Sequence, residues 1–155
     1  MHSRRGLIVL GLLVLTACGS GAPDSAGPAT DAEKDAVEEA VHAFFDAIYG
    51  YHYDSLRNVT TSDFELVEDT LVMSTADFVE FSMPYREKGI TFSYELSDFN
   101  TEIRGSVGWT RWRNDAVMNT GNRQIDLRFL ESAVLVQRED EWKIDRLQST
   151  PLHGR

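Results

Sequence analysis

The feature that most constrains the fold of this chain is an alternation of apolar and polar residues through its second half. A period of two is typical of β-strands that bury one face. Polar turns interrupt the alternation, and the segments between them are long enough to pair antiparallel with their chain neighbours. The pattern predicts four strands, at residues 92–103, 107–118, 124–137 and 142–148.

The first of these strands changes the face on which its apolar residues lie. They occupy even positions up to Leu96 and odd positions from Phe99 onwards. Because successive side chains of a strand point to opposite faces, such a switch requires an extra residue in the ladder. We therefore expect a β-bulge near Ser97 and Asp98 that bends the strand.

The first half of the chain has the three-to-four-residue spacing of amphipathic helices. A long first helix is predicted from Asp31, its candidate N-cap, to Gly50, and a short helix follows near residues 54–56. A small hairpin at 64–73 and a third helix at 76–86 come next. The apolar stripe of the first helix comprises Val37, Val41, Phe44, Ile48 and Tyr51.

Helices followed by long, bent, antiparallel strands define the α+β class. We expect N-terminal helices packed in a strongly bent antiparallel sheet that wraps around the first helix. Residues 31–155 are enough for one domain with a single core.

Three local motifs resemble the nuclear transport factor 2-like superfamily, specifically its SnoaL-like bacterial branch. They are Ala-Phe-Phe-Asp-Ala at 43–47, Ser-Asp-Phe at 62–64 and the closing hairpin at 134–144, with its Glu-Trp-Lys-Ile sequence. The resemblance implies a cone-shaped fold with a pocket at its wide end. It does not choose a function, because proteins that look like this include isomerases, dehydratases, ligand binders and dimerisation modules.

The first eighteen residues have the layout of a bacterial lipoprotein signal. Arg4 and Arg5 precede an apolar run at 7–15 that is too short to span a bilayer as a helix. The Leu-Thr-Ala-Cys sequence at 15–18 resembles the lipobox, whose cysteine is diacylated after cleavage on its N-terminal side. We therefore expect a signal peptide at 1–17 and attachment of palmitate-type chains at Cys18, the only cysteine of the chain.

A flexible tether is predicted at residues 18–30, which contain no large apolar side chain after the acylated cysteine. Two acyl chains anchor a protein stably, so the expected partner is a membrane and the expected location is the cell envelope. Gly19 follows the cysteine, and by resemblance this favours the outer membrane facing the periplasm. In a cell without an outer membrane, the outer face of the plasma membrane is expected.

The acidic composition argues against one class of partner. The chain has 15 basic and 25 acidic residues, a formal net charge of −10. A surface of this sign repels phosphate backbones, so we expect no nucleic-acid partner. No phosphate loop, nucleophile elbow or metal-ligand spacing is recognisable, and we expect neither a metal nor another cofactor.

Glu131 is the carboxylate that the sequence places most clearly in the pocket. It is in phase with the more apolar face of the third predicted strand, so it should point into the cone, where burial raises a carboxyl pKa. Arg111 and Arg113 on the neighbouring strand are candidate ion-pair partners. The alternatives are a bulge near Ser132 that turns Glu131 outward, or a purely structural Glu–Arg pair.

Three further residues are predicted to bind a ligand at the pocket. Trp109 and Arg111 alternate along one strand and are assigned to the pocket, whereas Trp112 should face the opposite way. Many relatives carry a histidine six residues after the tryptophan of the last strand, and here that position is Gln148. Glutamine does not titrate, so the usual candidate for an acid or base is missing and the site is assigned no catalytic residue.

Three functions remain open on the sequence. The favoured one is a membrane-anchored, exported lipoprotein that binds a small apolar ligand or a protein partner without catalysis. The second is an isomerase- or hydrolase-like enzyme that uses Glu131 or Asp126 with an arginine. The third is a structural module that forms a homodimer through the outer face of the sheet, with Thr110, Trp112 and Asn114 at the interface.

Overall fold

The computed structural model describes residues 28–152, which form three helices and six strands. The predicted α+β class is confirmed, with N-terminal helices against a curved, open sheet. The signal peptide, Cys18 and the tether up to residue 27 are predictions that lie outside the described residues. In chain order the elements are α1 (Asp31–Tyr49), α2 (Tyr53–Val59), β1 (Thr60–Glu68), β2 (Leu71–Met73), α3 (Thr75–Glu87), β3 (Thr91–Arg104), β4 (Val107–Asn119), β5 (Gln124–Arg138) and β6 (Glu141–Pro151).

A capping box fixes the start of α1. The hydroxyl of Thr30 accepts a hydrogen bond from the backbone N–H of Glu33 at 3.3 Å, and the Glu33 carboxylate accepts one from the backbone N–H of Thr30 at 2.7 Å. Two N–H groups that would lack an intrahelical partner are thereby satisfied. The prediction that Asp31 is the N-cap is wrong by one residue, whereas the predicted end at Gly50 is confirmed.

The six strands form one sheet in the order β2-β1-β6-β5-β4-β3. Neighbouring strands run antiparallel except β1 and β6, which are parallel. This parallel pair joins the first strand of the chain to the last, and the sequence-based expectation of a wholly antiparallel sheet missed it. Its consequence is that β1 brings its side chains beside those of β6.

A bulge in β3 bends the sheet around α1. The register between β3 and β4 shifts between Ser97 and Asn100, and Asp98 has a positive φ of 57°. The bulge predicted near Ser97 and Asp98 is therefore confirmed. Beyond it, the Thr101 hydroxyl donates a hydrogen bond of 2.7 Å to the Glu38 carboxylate on α1. The bent strand is thus tied to the helix that it encloses.

The core lies between α1 and the concave face of the sheet, and β4 turns its even-numbered residues towards it. Thr110, Trp112 and Asn114 are at most 1% exposed. A Cβ on Gly108 would lie 3.2 Å from Val37 Cγ2, so the glycine permits α1 to approach the strand. The expectations that Trp112 faces outward and that these three residues form a dimer interface are therefore wrong.

No helix within residues 28–152 is both long enough and apolar enough to cross a membrane.

Candidate ligand-binding site

The wide end of the cone encloses a cavity of about 570 Å³ between α1, α3 and the sheet. This volume falls within the range of small-molecule pockets, roughly 300–1,000 Å³. Most of the wall is apolar, and Ile48, Leu66, Met118 and Leu147 contribute to it. Its aromatic side chains are Phe44, Phe45, Tyr49, Tyr51, Phe78, Phe81, Tyr85, Phe92 and Phe129.

Glu131 lies on the wall of this cavity and is only 5% exposed. Its place in the middle of the sheet sets its partners, because Trp112 on β4 and Ser149 on β6 lie directly opposite it in the two strand registers. Trp112 Nε1 donates to Glu131 Oε2, and Ser149 Oγ donates to Oε1, both at 2.9 Å. The carboxylate therefore points inward, as its phase along the strand predicts.

Burial raises the pKa of Glu131 to about 7, because desolvation disfavours the charged form. Hydrogen bonds from Ser149 and Trp112 and the nearby Asn114 amide oppose this rise in pKa, and the Glu68 carboxylate adds to it. The proton on Glu131 can therefore exchange near neutral pH, which is the property required of a general acid or base.

Neither predicted arginine partner reaches Glu131. Arg113 is paired with Asp98 on the convex face of the sheet, with Nε 3.0 Å from Oδ2. Arg111 is opposite Ser132 in the register and shares the outward phase of Arg113. The expected Glu–Arg pair is therefore replaced by two neutral donors, from Trp112 and Ser149.

A second set of polar groups lies near Glu131. Tyr49 stacks on Phe92 with ring centroids 5.0 Å apart, and its hydroxyl accepts a 3.4 Å hydrogen bond from Asn114 Nδ2. Burial raises the pKa of Tyr49 above its usual range, so it stays protonated. Burial, and then the Asp69 charge, raise the pKa of Glu68, which also lines the cavity. Asn114 Oδ1 has no hydrogen-bond partner among the described residues.

Besides Trp112, sequence reasoning missed four of these groups, and only two of the four carry a local signal. Tyr49 follows Phe45 by four residues on the helix, which places it near the apolar stripe. Ser149 is two residues after the buried Leu147, which places both on one face of β6. Glu68 and Asn114 carry no such signal, because the parallel pairing of β1 and the phase of β4 decide where they point.

Trp109, Arg111 and Gln148 do not border the main cavity, contrary to expectation. Trp109 is 40% exposed, and it lines a shallow depression on the convex face together with Gln148. Arg111 has the same outward phase as Trp109. The physical reason is strand register: Trp112 and Ser149 are the residues opposite Glu131, so their neighbours in sequence face the other way.

Within residues 28–152, no group of three or more histidine, cysteine, aspartate or glutamate side chains is arranged to hold a metal ion.

Residues 37–152 match the SnoaL-like domain family, and the chain belongs to that family. The match covers the cone from the second turn of α1 to the residue after β6, including every residue placed at the cavity above. No protein of curated function matches the sequence significantly.

Solved structures with the same fold come from several bacteria. A proposed dehydratase of the nuclear transport factor 2-like family from Streptomyces avermitilis has a TM-score of 0.70 at 14% identity, covering 80% of this chain and 99% of its own. A ketosteroid isomerase-like protein from Erwinia carotovora atroseptica has a TM-score of 0.64 at 14% identity, covering 81% and 100%. A nuclear transport factor 2-like protein from Cytophaga hutchinsonii has a TM-score of 0.66 at 14% identity, covering 77% of this chain and 98% of its own. At these identities the likeness establishes the fold alone.

Proposed function

We propose that this chain is a lipid-anchored protein of the cell envelope whose SnoaL-like domain binds a small, largely apolar molecule. The observation that carries the binding role is the 570 Å³ cavity with its aromatic wall. Protein interiors are close-packed and contain few voids larger than a water molecule, so a space of this size is not ordinary packing imperfection. Removing an apolar ligand from water into it would supply the binding free energy.

A substitution that fills the cavity tests this role. Leu127 lines the cavity and is half-buried, so Leu127→Trp should occupy part of the ligand volume and lower affinity at least about tenfold. Leu130→Trp is the matched control, since Leu130 is on the same strand but is 36% exposed and does not line the cavity. Binding of a panel of small apolar compounds is measured by native mass spectrometry. Equal binding by both variants would contradict the proposed location of the site.

The anchoring part of the proposal depends on Cys18 and its Leu-Thr-Ala context. Cys18→Ser should abolish labelling with radioactive palmitate and move the protein from the membrane fraction to the soluble fraction, because stable anchoring requires two acyl signals. Ser20→Ala, two residues away, is the control and should leave both results unchanged. Labelling that survives in the Cys18→Ser variant would refute the lipid attachment site.

A second candidate function, proton transfer on the bound molecule, is favoured by the state of Glu131. This carboxyl is buried, faces the cavity and has its pKa raised to about 7. A base of that pKa at neutral pH contributes about 10²–10⁴-fold to a proton abstraction. Any turnover found with a bound compound should therefore fall by at least about 100-fold in Glu131→Gln, while binding persists. Turnover that is unchanged in this variant would mean that Glu131 is not the group that transfers the proton.

A further inference from the structure

We propose that the ligand of this cavity is an organic cation, a protonated or quaternary amine on an apolar body. This inference rests on the proposed ligand-binding function and names the chemical class of the ligand. It follows from the charges at the cavity, from the aromatic wall and from the supply of hydrogen-bond acceptors.

The charges that line the cavity are unbalanced. Carboxylates come from Glu68, Asp126 and Glu131, whereas the basic side chains among the described lining residues are limited to Arg128. Asp126 and Arg128 are both exposed, two residues apart at the mouth, so they offset one another at the rim. The deeper groups, Glu68 and Glu131, make no salt bridge among the described residues.

A buried carboxylate without a cation is an unfavourable arrangement that a cationic ligand would relieve. Glu131 is held by two neutral donors, which satisfy part of its hydrogen-bonding capacity but bring no positive charge. Breaking or omitting one partner of a buried ion pair leaves an uncompensated charge, and supplying that partner restores the compensation. An anionic ligand would instead add a like charge to a chain whose formal net charge is already −10.

The wall offers the second element of cation recognition. Tyr49 and Phe92 stack at 5.0 Å, and Tyr85 is tilted against Phe92 at 6.2 Å, so aromatic surface lines the space beside Glu131. The electron-rich faces of such rings attract ammonium groups, the more strongly when water is excluded.

Glu131 retains hydrogen-bond acceptor capacity that a protonated amine can use. Trp112 Nε1 and Ser149 Oγ each donate one hydrogen bond to its two oxygens, which can accept about four in all. The Ser149 hydroxyl is committed as a donor to Glu131. A protonated amine brings up to three donors, whereas a neutral hydrocarbon brings none.

Two probes of equal shape test the class of ligand. Phenyltrimethylammonium and tert-butylbenzene differ by one nitrogen and one positive charge, so the difference in their affinities isolates the effect of charge. We expect the cation to bind the wild-type chain at least about tenfold more tightly, measured by titration calorimetry at pH 7.

Proton exchange on binding gives an independent readout with opposite signs for the two probes. The groups near Glu131 come from four elements of the fold. They are Tyr49 on α1, Glu68 on β1, Trp112 and Asn114 on β4, and Ser149 on β6. Since the pKa of Glu131 is about 7, a cation that lowers it should release up to about half a proton at pH 7. The neutral probe displaces solvent, raises the pKa further and should cause proton uptake. Calorimetry in buffers of different ionisation enthalpy measures both.

Variants assign the preference to the two carboxylates that line the cavity away from its rim. Glu131→Gln and Glu68→Gln should each reduce the preference for the cation, by a factor between several-fold and about tenfold. Neither substitution should weaken the binding of tert-butylbenzene. Glu65→Gln is the control: it removes the same charge from β1, but Glu65 pairs with Arg146 at 3.3 Å and does not line the cavity. Its preference for the cation should match that of the wild type.

The outcomes separate this inference from the function on which it depends. Tight binding of tert-butylbenzene with no preference for the cation would overturn the inference and support the apolar cavity. Binding of neither probe would overturn both. A preference for the cation that survives in both Glu131→Gln and Glu68→Gln would also overturn the inference, because these two carboxylates would not be its source.

Discussion

Replacing Trp112 by alanine is expected to lower the free energy of unfolding by about 3–5 kcal/mol. The indole is 0% exposed, stacks on Phe99 at 5.9 Å and meets Phe45 edge-on at 6.0 Å. Its loss would leave a large void in the core and would remove the donor to Glu131 Oε2. Urea unfolding followed by circular dichroism measures the change.

Trp109→Ala is the matched control, with the same substitution three residues earlier on the same strand. Trp109 is 40% exposed on the convex face, so its loss should change the free energy of unfolding by less than about 1 kcal/mol. A larger loss for Trp109→Ala than for Trp112→Ala would mean that β4 presents the opposite face to the core. The position of Glu131 against Trp112 would then be wrong as well.

The second large effect is a dependence of stability on pH that originates in Glu131. Its pKa is about 7 in the folded chain against an ordinary value of 4.5, so between these pH values the folded state binds more protons than the unfolded state. The free energy of unfolding must therefore fall as the pH rises through this window, by about 3 kcal/mol for this group. The contribution is complete below pH 4.5 and lost above pH 7.

The difference between the wild type and Glu131→Gln isolates this contribution. The glutamine can accept from Trp112 Nε1 with its oxygen and donate to Ser149 Oγ with its amide, and it carries no charge at any pH. Between pH 4.5 and pH 8, the free energy of unfolding of the variant should rise by about 3 kcal/mol relative to that of the wild type, as measured by equilibrium unfolding. Glu65→Gln, which removes an exposed carboxylate, is the control, and Glu131→Gln should gain more on the wild type than this variant does. If the difference between Glu131→Gln and the wild type does not change with pH, the pKa of Glu131 is not raised in the folded chain.

Local periodicity was sufficient for much of the fold. The alternation at 92–148 located the four long strands, and the change of phase at Leu96 and Phe99 located the bulge that bends β3. The helical spacing from Val37 to Ile48 gave the buried stripe of α1. These signals succeed because each depends on the side-chain direction of residues a few positions apart.

The same reasoning failed on β4 because both of its faces carry large side chains. Trp109 and Trp112 are three apart, so a strand must bury one and expose the other, and the sequence of β4 alone does not decide between them. The choice is made by the approach of Val37 to Gly108 and by the register that sets Trp112 opposite Glu131. From the sequence, Trp109 is predicted to lie inside. Because Arg111 lies on the same face of β4 as Trp109, Arg111 is also predicted at the site, where the structure has Asn114.

The sequence by itself determined the α+β order of elements, the bent strand, the strand phase that makes Glu131 a candidate for the pocket and the lipobox-like segment that predicts an anchor at Cys18. Only the tertiary structure decided what surrounds that carboxylate. Trp112, Ser149, Tyr49 and Glu68 come from four different elements, and the parallel pairing of β1 with β6 brings two of those elements together. Pairings between distant segments leave no local periodicity in the chain, since they depend on how the whole sheet closes around α1.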